Sequence, residues 1–170
     1  MIGVILVILL VGSALCQDFL PGPLILGQVK APFLLAVSLY YALAHSRAAF
    51  FWAAILAGIL QDSLSLVPIG YSALVYSLLG LAIRYYREVL FTRSAATAAL
   101  VGGAANLLAQ GALQTLLWLG GEWSGGSWGT TVIRLLGAGL LGAAVTPLVW
   151  WGARAMDERV GNVMPETAEI

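Results

Sequence analysis

Few side chains in this sequence could do chemistry, and they stand far apart. Asp62 lies with Ser63 and Ser65 in the stretch QDSLSLVPIGYS (61–72), a carboxylate beside two hydroxyls, and the single histidine, His45, precedes it by one apolar stretch. A nucleophilic serine needs an imidazole within hydrogen-bond reach and a carboxylate to orient that imidazole. If the intervening stretch crosses a membrane, His45 and Asp62 fall on opposite sides and no such device forms within one chain. One cysteine, Cys16, and one histidine exclude multi-cysteine and multi-histidine metal sites. No glycine-rich phosphate loop follows a strand, and no paired acids share a helix face. The residues therefore point away from an enzyme and call for no cofactor or metal.

What remains is polarity in apolar surroundings. Asn106, Gln110 and Gln114 recur at i, i+4 and i+8, one stripe of three amides on a helix. Lipid cannot satisfy them, so they are expected to face other helices as hydrogen-bonding glue, the sharper alternative being a polar cavity or a docking face for another subunit. Asp62 is costly beside a membrane span unless it reaches water, a cation or exposed backbone N–H groups. Pro68 pushes Val67 to extended backbone and Gly70 permits positive φ, so one helix ends after Asp62 and the next starts near 68–72. The carboxylate can then reach back to the unpaired N–H groups of that new helix, with Arg134 as a second candidate partner.

The elements that must position these residues follow from composition. Of the 170 residues, 61% are apolar and 9% charged, against about 45–50% and about 25% in a soluble domain, and the mean hydropathy is +0.94. The bilayer is the solvent. No length remains for a soluble catalytic or nucleotide-binding domain, and a net charge of zero offers no basic surface for nucleic acid. Stretches without Asp, Glu, Lys or Arg are 1–17, 31–46, 48–61, 63–83, 94–121 and 135–153, six candidate spans. No basic residue precedes the first apolar run, so it reads as a retained span rather than a cleaved signal.

Charge places the ends. With six crossings, Arg47, Arg84, Arg87, Arg93, Arg154 and Arg159 share one side, six of the eight basic residues, while Lys30 and Arg134 lie on the other. The positive-inside rule then puts both termini in the cytoplasm. Small residues four apart (Ala54 and Gly58; Ala138 and Gly142; Gly139 and Ala143) allow close helix approach within the bundle or toward a partner. The loop GGEWSGGSWGT (120–130) reads as external, with Trp123 and Trp128 at the headgroup boundary. Residues 1–155 form one six-helix bundle on this reading, and 156–170 a short solvated cytoplasmic tail.

Several of these places resemble the rod shape-determining membrane protein MreD family. They are Lys30-Ala31-Pro32 opening the second helix, the turn His45-Ser46-Arg47, Gly58-x-x-x-Asp62-Ser63-Leu64-Ser65 running on to Gly70, and Tyr85-Tyr86-Arg87 to Phe91-x-Arg93. A last span with Pro147 and Trp150 before Arg154 also fits. Lys30 stands where arginine is commoner in the family, and the Gly/Trp-rich loop departs from its pattern. The resemblance implies an all-α, polytopic six-helix bundle similar to the substrate-binding subunits of energy-coupling-factor transporters. It also implies a non-enzymatic inner-membrane component of cell-wall elongation. The partners it implies are the single-pass protein MreC, a glycan polymerase and transpeptidase, and membrane lipids; it leaves homo-oligomerisation open. Gly58, Asp62, Ser65, Pro68, Gly70, Lys30 and Pro32 are then structural or partner-binding candidates, beside Asn106, Gln110, Gln114 and Arg134. The alternative is a substrate-binding subunit of a vitamin transporter of that energy-coupling-factor kind.

Overall fold

The computed structural model describes residues 2–20, 22, 29–65, 67–86, 95–121 and 128–161. Among them the chain forms six helices: α1 (Ile2–Phe19), α2 (Phe33–Ala44), α3 (Arg47–Ser65), α4 (Tyr71–Tyr85), α5 (Ala95–Leu119) and α6 (Trp128–Val160). The expected connection with Arg87 and Arg93, the loop around Trp123 and the end of the tail lie outside the described residues.

The distribution of polarity is that of a membrane protein. On α1, Val4, Val7, Ile8, Val11 and Leu15 are exposed at helical spacing while Ser13 and Gln17 are buried, the arrangement expected where the surroundings are lipid and polar groups must find partners inside. Four helices, α1, α3, α5 and α6, are long and apolar enough to cross a membrane, and the chain is a polytopic helical bundle.

α2 is the hub. Every residue from Leu34 to Leu43 is buried, and the helix packs against all five others, as an all-round apolar sequence requires. Its 12 residues rise only about 18 Å, less than the roughly 30 Å of a hydrocarbon core, so the neighbours that encase it supply the span that it does not. Pro32 precedes it, where a missing N–H costs nothing, and the Pro32 carbonyl accepts from Ala36 N at 3.0 Å.

Alternate helices run in opposite directions. The C-terminal ends of α1 and α3 meet through Gln17 and Gln61, and those of α2, α4 and α6 meet around His45. The bundle thus has an Asp62 end and a His45 end. α3 and α4 touch backbone to backbone, because a Cβ on Gly58 would overlap the Ala73 backbone. α5 and α6 are held as closely: a Cβ on Gly142 would lie 2.6 Å from that of Asn106, and one on Gly103 would lie 3.0 Å from the Gly139 carbonyl oxygen. The small residues of α3 and α6 therefore pack within the bundle.

α6 differs most from expectation. It has 33 residues with Pro147 inside, starts at Trp128 rather than after a loop ending at 130, and runs on to Val160. The segment after Arg154, read from sequence as solvated, is helical to that point, and Asp157 is fully buried. A charged residue beyond an apolar run looks solvated by composition; here α2 supplies a polar socket for it.

Candidate functional site

The Asp62 end is built from the α3–α4 turn. Gly58 lets the start of α4 lean on α3, and one helical turn later Asp62 projects from the same face, buried at 1% exposure. Its Oδ2 accepts from Gly70 N at 2.7 Å and its Oδ1 from Ser72 N at 3.0 Å, with Ser72 N also 3.3 Å from Oδ2. Those N–H groups are among the unpaired donors at the start of α4 and carry the positive end of its dipole. Gly70 is the N-cap with φ 109°, a conformation that suits glycine, and with no side chain it cannot cap the helix itself. Asp62 does that work from the preceding helix, eight residues earlier. The glycine, the carboxylate and the second glycine are one device: close approach, cap and turn.

Ser65 enters the same end through a chain of polar groups. Gln17 Nε2 donates to Gln61 Oε1 at 2.6 Å, and Gln61 Nε2 donates to Ser65 Oγ at 2.8 Å, tying α1 to the end of α3. Pro68 and Ile69 cap this layer as exposed turn residues. Lys30 makes an ion pair with Asp18 at 3.4 Å, an exposed contact worth little. Arg134 is exposed; of the two partners expected for Asp62, the described bonds go to the backbone of the turn.

The amide stripe is divided. Asn106 is buried and its Nδ2 donates to the Ala138 carbonyl of α6. Gln110 and Gln114 are half-buried, and among the described residues neither has a hydrogen-bond partner. Helical drift explains the split: at 100° per residue, positions eight apart turn by about 80°, enough to carry Gln114 off the line of Asn106.

Sequence reading missed a cluster at the other end. Tyr40 OH donates to Asp157 Oδ2 at 2.6 Å, and His45 Nε2 lies 2.8 Å from the same oxygen. Arg84 Nη1 donates to the carbonyls of Ala42 at 3.1 Å and His45 at 2.8 Å, capping the C-terminus of α2 where a cation is favoured. His45 lies in the turn before Arg47, yet it is buried at 7% exposure. The signal available was the single histidine and an acid just beyond the last apolar run, since buried ionisable groups are retained as pairs. Their 112-residue separation hid it.

This geometry holds helices together. His45 and the serines of 63–65 are at opposite ends of α3, and the described residues hold no group of three or more His, Cys, Asp or Glu that could bind a metal.

No curated protein and no solved structure matches this chain, so the likeness to energy-coupling-factor subunits rests on the family resemblance alone. The family model for rod shape-determining protein MreD matches residues 1–119, from the first helix through the last residue of α5, well over half of the 170. The chain belongs to the MreD family and is a membrane component of rod-shape determination.

Proposed function

We propose that the protein is a non-enzymatic part of the bacterial cell-wall elongation machinery in the cytoplasmic membrane. It binds MreC and helps to organise peptidoglycan synthesis beside a glycan polymerase and a transpeptidase. The observation that carries this reading is the family match across α1–α5. The Asp62 turn supports it by its construction, because a buried carboxylate presets the backbone at Pro68–Gly70 and leaves Ile69 75% exposed. A turn ordered before binding loses less entropy when a partner docks.

On this reading the chain is one six-helix domain whose Asp62 end faces outward. The His45 end faces the cytoplasm, with both termini, following the six-to-two split of basic residues. Depleting the protein while following cell width and MreC recovery from native membranes tests it. Loss of rod shape with loss of the elongation partners is the expected result. Unchanged width with abolished uptake of a vitamin would replace this reading by the transporter one.

A further inference from the structure

α5 is the least buried of the four long apolar helices. Its buried residues, Gly102, Ala105, Asn106 and Ala109, face the bundle. Along the other side run Leu100, Ala104, Leu107, Gly111, Gln114 and Trp118, each exposed or half-buried. Their spacing alternates between four and three residues, the pattern of a coiled-coil seam that repeats every 3.5 residues. Leucine, alanine and tryptophan suit lipid there; Gly111 and Gln114 do not.

Gly111 stands well inside a helix, where glycine costs stability relative to alanine. The bundle gives no reason for it, because a Cβ there would meet only Leu135 Cδ2, at 3.8 Å, an ordinary contact. At Gly142, by contrast, a Cβ would lie 2.6 Å from that of Asn106. Gln114, three residues after Gly111, is half-buried and has no hydrogen-bond partner among the described residues. It sits about 10 Å of helix before the end of the charge-free run at 121, and lipid offers its amide neither donor nor acceptor. Thr115 beside it needs no partner, since its hydroxyl donates to the Gly111 carbonyl at 2.9 Å.

We infer that this seam of α5 docks against the same seam of a second copy of the chain, with Gln114 paired to Gln114 across a two-fold axis. Copies in one membrane share an orientation, so the two α5 helices run parallel and a symmetric contact sets each seam residue against its own counterpart. An amide is self-complementary in that setting, each one donating its N–H and accepting at its carbonyl. Gly111 against Gly111 lets the two axes approach one turn away. α5 carries no Asp, Glu, Lys or Arg, so facing copies bring no like charges together. One amide in an apolar seam then fixes register, as a polar core residue does in a coiled coil. The strip from 100 to 118 is about 27 Å long and about 10 Å wide, on the order of 270 Å² a copy, against about 800 Å² on each side of a stable soluble interface. The dimer therefore exchanges with monomer, and dilution in lipid reads it.

The experiment uses the full chain alone in liposomes, in a Cys16→Ser background, so that it stands or falls independently of MreC binding. Single cysteines replace Leu100 or Trp118 on the seam, 75% and 64% exposed, or Val11 on α1, 51% exposed, as the control. Mild oxidation at rising lipid-to-protein ratio gives the fraction of chains joined to a second copy. The seam cysteines should join copies at low dilution and Val11→Cys should stay at the level of random collision. Adding Gln114→Leu should lower the dilution at which joining is half lost about tenfold, the effect of losing an interhelical amide pair. Should that variant fail to give a monodisperse, helical protein, Gly111→Ala decides: the bundle accommodates its methyl, whereas a methyl on each copy holds the axes apart and must also lower the half-loss dilution. Equal joining at the seam and at Val11→Cys overturns the proposal, as do variant curves that coincide with the parent's. Added MreC that abolishes joining at the seam would assign the face to MreC and overturn it too.

Discussion

Replacing Asp62 by leucine removes the acceptor for two backbone N–H groups, those of Gly70 and Ser72, while keeping the same number and branching of side-chain heavy atoms. Hydrogen bonds to a charged group contribute about 1.5–3 kcal/mol each, and a buried donor left without a partner costs about 1–3 kcal/mol. Ser72 is 1% exposed and cannot turn to water, whereas the half-buried Gly70 can in part. The full penalty therefore applies once and a discounted one applies to Gly70; loss of the anion at the α4 dipole adds about 0.3–1 kcal/mol. The sum is about 3–5 kcal/mol for Asp62→Leu. Asp62→Asn keeps one acceptor oxygen for one of the two N–H groups and loses the charge, so its cost should be about 1.5–2.5 kcal/mol on the same figures. Thermal unfolding in detergent, followed together with MreC recovery, reads both. The expected order of Tm is parent above Asp62→Asn above Asp62→Leu, with MreC recovery falling in the same order. Equal Tm and equal recovery for the leucine variant and the parent would refute the capping argument, since two donors at a helix start would then have lost their acceptor at no cost.

Gly58→Ala should also be damaging, because the new methyl meets the Ala73 backbone rather than a side chain that can move; overpacking of this kind costs about 1–3 kcal/mol or more, visible as a lower Tm. In α5, Asn106→Leu should lower Tm through loss of its bond to the Ala138 carbonyl and crowding against Gly142, whereas Gln110→Leu should leave Tm near that of the parent. The reverse order in paired melts would place the glue of the stripe at the wrong amide. Reporter fusions after Arg93 and after Arg159 should both read cytoplasmic, following the charge split; an external signal from either contradicts the proposed orientation.

Membrane residence, the number of helices and the α3–α4 break were determined by sequence alone, each for a local reason. Charge-free runs mark the helices that lipid permits, and Pro68 with Gly70 marks a place where no helix can continue. Asp62 was legible too, because a carboxylate next to a new helix start has an acceptor to offer within a few residues. What only the tertiary structure decided depends on partners far away along the chain. α2, too short to span by itself, became the buried hub because five neighbours surround it. Arg134, an equally good partner for Asp62 on paper, stayed exposed while the turn's own N–H groups took the carboxylate. Asp157 and His45 look like two solvated helix ends when read in isolation; they are buried because α6 outruns its apolar stretch and lays its last turns across the end of α2. Local patterns report what a segment can tolerate, and burial of a charge is a property of the socket that receives it.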